Sequence, residues 1–124
     1  MCRVLIIEDH ADIRRLIRMT LELEDHEIHE AANGVEGLQA ARRLQPDVVL
    51  LDVMMPGEMD GISVCRELRA DKAFDGTSAV MLSALGASAD RARGFGAGAN
   101  AYLAKPFSPL NLIDTINNLP RAVQ

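Results

Sequence analysis

Residues 48–57 have the sequence Val-Val-Leu-Leu-Asp-Val-Met-Met-Pro-Gly. An apolar run here ends at one carboxylate, Asp52, and a Pro-Gly turn follows shortly after it. Such a run is typical of a strand that is buried on both faces of a parallel sheet. A charge inside that strand would be costly, so we place Asp52 at the strand's carboxyl end. In open α/β sheets, ligands bind at this edge.

The composition indicates one folded domain. The chain has 124 residues, of which 48% are hydrophobic, enough for a packed interior. No apolar stretch reaches membrane-spanning length and no signal peptide opens the chain, so we expect a cytoplasmic protein without a membrane partner. A net charge of −5 and an aromatic content of 3% argue against direct nucleic-acid binding.

Apolar runs and helical periodicities alternate along the whole chain. The predicted strands cover residues 4–7, 27–32, 48–53, 79–83 and 101–104, and the predicted helices cover 13–21, 35–44, 62–68, 89–98 and 109–119. Asp12 and Ser108 stand where helix N-caps are expected. Alternation without a linker predicts one α/β domain over residues 1–124, a doubly wound parallel sheet of five strands with five helices.

Four of the predicted strands end on polar side chains, namely Glu8-Asp9, Asp52, Ser83 and Lys105. The carboxylates would repel one another at a shared edge, and a hard divalent cation such as Mg²⁺ would relieve this repulsion. Lys105 can pair with Asp52 or with an incoming phosphoryl oxygen, and Ser83 can donate to another such oxygen. A carboxylate in these surroundings can accept a phosphoryl group. Each residue alone is more often structural, so the hypothesis depends on their coincidence.

These residues, in this order, resemble the receiver domain of two-component response regulators. The resemblance extends over essentially the whole chain, and its strongest segments are residues 4–9, 50–57, 59–61, 80–84 and 102–107. It implies a flavodoxin-like fold with strand order 2-1-3-4-5, as in the chemotaxis receiver.

The resemblance also implies a role for individual residues. Asp52 corresponds to the phosphoacceptor, Lys105 to the phosphate-binding lysine and Ser83 to the switch hydroxyl. Tyr102 corresponds to the aromatic residue that turns inward when the switch hydroxyl moves toward the phosphoryl group. The Lys105–Pro106 peptide bond is expected to be cis. The implied Mg²⁺ ligands are Glu8 (mainly through metal-bound water), Asp9, Asp52 and the backbone carbonyl of Met54.

The implied function is signalling rather than enzymatic turnover, with catalysis confined to the domain's own phosphoryl transfer and slow autodephosphorylation. The implied partners are a sensor histidine kinase or a histidine phosphotransfer protein, and a downstream target or an attached effector domain. The first helix is the expected kinase-docking side, and the fourth helix, fifth strand and last helix form the expected output face. A phosphorylation-dependent homodimer is a further implied partner, but Asn100-Ala101 replace the acids that join this contact in many transcriptional receivers.

Three further departures from the usual pattern are visible. Glu58 is an extra residue in the loop after Asp52, and the switch hydroxyl is Ser83 where threonine is commoner. Met54 and Leu85 flank the expected phosphoryl position. Because neither apolar side chain can orient an attacking water well, we expect a long-lived phosphoryl group.

Three alternatives remain open. A phosphatase of the haloacid dehalogenase type would need a second aspartate where Met54 stands. A receiver-like interaction module that works without phosphorylation would not need the acidic pair, Asp52, Ser83 and Lys105 together. A flavin or nucleotide binder would be expected to have a glycine-rich phosphate loop after the first strand, and this chain has none.

Overall fold

Five parallel strands form one sheet in the order β2-β1-β3-β4-β5. They are β1 (Arg3–Ile7), β2 (Glu27–Ala31), β3 (Val48–Asp52), β4 (Ser78–Ala84) and β5 (Ala101–Lys105). This computed structural model describes residues 2–55, 57, 59–84, 92 and 95–119, with Ala84 by its backbone alone. The predicted flavodoxin-like strand order is confirmed.

Four α-helices and one short 3-10 helix have both ends within the described residues. The α-helices are α1 (Ala11–Leu21), α2 (Gly34–Leu44), α3 (Gly61–Ala70) and α4 (Pro109–Asn117), and the 3-10 helix is Lys72–Phe74. The helix predicted over 89–98 lies mostly outside the described residues, although Ala92, Phe95 and Gly96 are helical. Among the described helices, none has both the length and the apolar character of a membrane span.

The sheet is covered on both faces because alternate residues of a strand point to opposite sides. In β1, Leu5 and Ile7 pack into the cluster that contains α2 and α3. Val4 and Ile6 pack into the other cluster, with α1 and α4. All five residues of β3 are buried, as its continuous apolar run predicts. Only the ends of the central strands are therefore free to present polar groups.

The helix starts follow local capping chemistry, with one exception. The side chain of Ser108 accepts a hydrogen bond from the backbone N–H of Asn111, as predicted for the start of α4. The prediction that Asp12 caps α1 is wrong. His10 is the N-cap residue, its side chain makes no capping hydrogen bond, and Asp12 lies inside the first turn.

Candidate functional site

The carboxyl edge of the sheet brings together charged residues that are distant in the sequence. Asp52 is the last residue of β3, Lys105 is the last of β5, and Glu8 follows β1. Lys105 Nζ lies 2.7 Å from Glu8 Oε1 and 3.3 Å from Asp52 Oδ1. Of the five side chains predicted to meet at this edge, Lys105 is therefore in direct contact with two, Glu8 and Asp52.

Burial and like charge set the pKa values of the two inner carboxyls. Glu8 is fully buried and Asp52 is 3% exposed. Burial, with the neighbouring Glu8 carboxylate, raises the pKa of Asp52 to about 7 against the effect of Lys105. Burial also disfavours ionised Glu8, but hydrogen bonds, foremost that from Lys105, outweigh it and hold the pKa of Glu8 well below its usual value. Lys105 thus stabilises one ionised carboxylate, and ionisation of the second carboxyl group requires further positive charge.

Two carboxylate oxygens at this edge indicate where a cation could supply the further positive charge. Within the described part of the chain, Asp52 Oδ2 and Asp9 Oδ1 are buried and accept no hydrogen bond, although His10 Nδ1 lies 3.3 Å from Asp9 Oδ1. Asp52 Oδ1, in contrast, accepts from the backbone N–H of Met54 at 3.2 Å. A buried anionic oxygen without a donor is costly unless a cation faces it. One ligand atom each from Glu8, Asp9, His10 and Asp52 lies within 4.8 Å of the others, so these residues can hold a metal ion together.

The sequence-based prediction missed His10. Its Nδ1 lies 3.1 Å from Glu8 Oε2 and 3.3 Å from Asp9 Oδ1. The hydrogen bond with Glu8, and then the charge of Asp9, raise the pKa of this imidazole above its usual value. Its place directly after the acidic pair, before a helix, was the available signal, because parallel strands end at the ligand-binding edge.

Ser83 lies near the carboxyl end of β4, and Tyr102 lies in β5. Ser83 is buried and follows Leu82, which is the register partner of Asp52. Tyr102 pairs with Met81 across β4 and β5, is half-buried, and packs against the cluster that contains α2 and α3. Their switching roles stay predictions.

The turn after Asp52 is held by close backbone contacts. Gly61 donates its N–H to the carbonyl of Val53 at 3.0 Å, and the side chain of Asp60 accepts from Ser63 N to cap α3. A Cβ atom on Gly61 would lie 2.1 Å from the backbone oxygen of Asp52. Only glycine lets α3 begin this close to the strand end, so Gly61 helps to set the position of Asp52.

The remaining expectations near the site have mixed outcomes. The Lys105–Pro106 peptide bond is cis, as the resemblance implied. Met54 has its side chain 65% exposed beside Asp52. Glu58 and Leu85 lie outside the described residues, so the predictions that concern them stay predictions.

Comparison with known protein families identifies the family to which the chain belongs. The family model described as "Response regulator receiver domain" matches residues 4–117. The chain therefore belongs to this family and is a receiver domain of a two-component response regulator. Membership excludes the phosphatase and nucleotide-binder alternatives as family assignments.

Individual relatives agree with this assignment. The chain is 45% identical over 119 residues to the transcriptional regulatory protein ResD of Bacillus subtilis, covering 96% of this chain and 48% of ResD. It is 44% identical over 121 residues to the transcriptional regulatory protein SrrA of Staphylococcus aureus, covering 98% of this chain and 48% of SrrA. The chain thus spans about half the length of these relatives.

Solved structures show the same fold. The chemotaxis protein CheY4 of Vibrio cholerae matches with a TM-score of 0.89 and 31% identity, over 97% of this chain and 99% of that one. The receiver domain of the Francisella response regulator 1452 matches with a TM-score of 0.85 and 32% identity, over 94% of each chain.

Proposed function

We propose that this chain, over residues 1–124, is a phosphoacceptor receiver that takes a phosphoryl group onto Asp52 in a Mg²⁺-dependent reaction. The observation that supports this most is the buried Oδ2 of Asp52, which accepts no hydrogen bond from any described residue. An oxygen that is neither solvated nor hydrogen-bonded is poised to bind a cation or to act as a nucleophile. We assign both abilities to the same carboxyl group.

Different residues around Asp52 would bind Mg²⁺ and the phosphoryl group. Asp9, Asp52 and the backbone carbonyl of Met54 would hold Mg²⁺ directly, and Glu8 mainly through water. Bound Mg²⁺ would supply the positive charge that lets Asp52 ionise and would neutralise charge on the phosphoryl oxygens. Lys105, already 3.3 Å from Asp52 Oδ1, would pair with a phosphoryl oxygen once one arrives.

The transfer itself needs only one new bond at Asp52. A carboxylate oxygen of Asp52 bonds to the phosphorus of a phosphohistidine, the phosphorus–nitrogen bond breaks, and the released imidazole keeps the electron pair and takes up a proton. Ser83 then donates to the new phosphoryl oxygens, and Tyr102 turns inward to change the output surface. The domain acts as a switch and turns over no other substrate.

The phosphoryl donor would be a sensor histidine kinase or a histidine phosphotransfer protein, in the cytoplasm. Two of the relatives are named as transcriptional regulatory proteins, and this chain spans 48% of each. We therefore propose that the output is control of an attached effector region or of a separate target. A phosphorylation-dependent homodimer is a further candidate output. Asn100, where an acid is common, instead accepts a hydrogen bond from Ala79 N at 2.8 Å.

The test is phosphorylation by a small donor. The protein is incubated with Mg²⁺ and acetyl phosphate, and its intact mass is followed beside two matched variants, Asp52→Asn and Asp47→Asn. We expect an adduct of one phosphoryl group on the native chain and on Asp47→Asn, none on Asp52→Asn, and none when EDTA removes Mg²⁺.

An unchanged mass of the native chain under these conditions would instead favour an interaction module that works without phosphorylation. After removal of the donor, the decay of the adduct measures its lifetime. Because Met54 cannot orient water, we expect slow decay, and a lifetime of seconds that trimming the Met54 side chain leaves unchanged would contradict this part of the proposal.

A further inference from the structure

The carboxyl edge contains a nitrogen donor in addition to its oxygens. His10 Nδ1 lies 3.1 Å from Glu8 Oε2 and 3.3 Å from Asp9 Oδ1. The backbone N–H of His10 also donates to Glu8 Oε2 at 3.2 Å, which fixes the residue beside the acidic pair. Although His10 is the N-cap of α1, its side chain makes no capping hydrogen bond. The side chain of His10 is 60% exposed, so the ring lies at the mouth of the pocket with its Nδ1 toward the two carboxylates.

The four side chains have the spacing of a single metal site. Their ligand atoms all lie within 4.8 Å of one another. Ligands around one ion at about 2.0–2.2 Å are separated by about 3–4 Å, so small side-chain movements complete the site. Independent evidence that the pocket binds a cation comes from Asp52 Oδ2, which is buried and accepts no hydrogen bond from the described residues.

The chemistry of the donor set determines which cations it prefers. Mg²⁺ favours oxygen ligands, whereas imidazole nitrogen favours first-row transition metals such as Co²⁺ and Zn²⁺. We propose that His10 adds a nitrogen ligand to the carboxylates of Glu8, Asp9 and Asp52, and that it thereby raises the preference of this pocket for nitrogen-binding first-row transition-metal dications over Mg²⁺. Such an ion would compete with Mg²⁺ for the same pocket. This inference rests on the proposed function, because it assumes that the pocket binds Mg²⁺ at all.

The experiment compares two ions on matched variants. Isothermal titration measures the affinities of Co²⁺ and Mg²⁺ for the native protein, for His10→Gln and for His29→Gln. His29 bonds to Glu27 at the opposite edge of the sheet, so its variant is the control for a histidine outside the pocket. We expect His10→Gln to lower the ratio of Co²⁺ affinity to Mg²⁺ affinity about tenfold, since one nitrogen ligand is lost, and His29→Gln to leave this ratio unchanged.

A second readout identifies the ligand directly. In the Co²⁺-loaded native protein, a paramagnetically shifted imidazole resonance is expected, and it should be absent from His10→Gln. Asp9→Asn should lose both ions, which would place them in the acidic pocket. An equal ratio in His10→Gln and the native protein, or an equal loss in His29→Gln, would overturn the inference while leaving Mg²⁺ binding intact. Failure of the native protein to bind either ion would overturn both the inference and the proposed Mg²⁺ site.

Discussion

The two edges of the sheet contain similar residue types in opposite electrostatic conditions. At the amino edge, Glu27 accepts hydrogen bonds from Arg3 and His29, each at 2.7 Å. The bonds from His29 and then Arg3 hold the pKa of Glu27 below its usual value. The backbone N–H of Arg3 donates to Asp47 at 2.8 Å. Every charge in this group thus has a partner.

At the carboxyl edge, one lysine faces several acids. Lys105 contacts both Glu8 and Asp52, and the pKa of Asp52 is raised to about 7. Asp52 also keeps a buried oxygen without a hydrogen bond from the described residues. Such an arrangement costs stability, and perturbed carboxyls of this kind concentrate at functional sites. Charged side chains are present at both edges, so the free-energy cost of burying an uncompensated charge is what distinguishes the candidate site from the amino edge.

The largest expected effect comes from the backbone at the carboxyl edge. Gly61→Ala places a Cβ atom 2.1 Å from the carbonyl oxygen of Asp52, which cannot move without shifting β3. We expect the free energy of unfolding to fall by about 3 kcal/mol, measured by urea unfolding. The control is Gly96→Ala, where the new Cβ meets no described atom within 4 Å. Equal effects of the two substitutions would show that Gly61 has no special role beside Asp52.

Removal of the lysine should be the next most damaging change. Lys105→Met leaves the buried Glu8 carboxylate without its cation, and we expect a loss of about 2 kcal/mol near neutral pH without divalent ions. Because the pKa of Glu8 is lowered in the folded protein, this contribution is lost as the pH falls from about 4.5 to about 2. Urea unfolding across this pH range measures it. Lys105→Arg retains the charge and should retain most of the stability. A loss in Lys105→Met that is independent of pH would indicate packing instead.

Asp52→Asn should stabilise the protein without divalent ions. The pKa of Asp52 is about 7 when folded and about 3.8 otherwise, so the folded state binds this proton more tightly. Stability therefore falls as the pH rises from about 4 to about 7, and asparagine removes this dependence. We expect no difference below pH 4 and a gain of about 1.5 kcal/mol above pH 7, since structural relaxation and water penetration around the ionised carboxylates relieve part of the repulsion.

Urea unfolding of Asp52→Asn and the native protein in EDTA at several pH values provides the measurement. Saturating Mg²⁺ should abolish or reverse the gain, because the cation stabilises only the native carboxylate. A native protein that is as stable as Asp52→Asn above pH 7 in EDTA would show that the carboxyl edge is not strained.

An aspartate-to-asparagine substitution at the amino edge should change the free energy of unfolding very little. Asp47 is exposed and bonds to the backbone N–H of Arg3, which an asparagine oxygen can also accept. We expect Asp47→Asn to change the free energy of unfolding by less than about 0.5 kcal/mol, whatever the pH or Mg²⁺ concentration. Urea unfolding under the conditions used for Asp52→Asn measures this directly. A change as large as that at Asp52 would abolish the distinction between the two edges.

Sequence reasoning was most accurate where structure is local. Each strand end was predicted to within one residue, because apolar runs and turn residues mark the ends directly. The prediction was wrong at the start of α1. Aspartate is a common N-cap residue, but His10 and not Asp12 occupies the N-cap position of this helix. An N-cap depends on the backbone angle at which the chain leaves β1, and the composition of the segment does not contain that angle.

The alternation of strands and helices, and the placement of Glu8, Asp9, Asp52 and Lys105 at strand ends, follow from the amino-acid sequence alone, because hydrophobic period and chain order are local properties. Which of these charged side chains come into contact depends on the assembled fold. Lys105 and Glu8 are 97 residues apart in the sequence and 2.7 Å apart in the fold. The raised pKa of Asp52 and the position of the His10 ring also depend on the tertiary structure, since burial and the distances between charges exist only once the sheet has assembled.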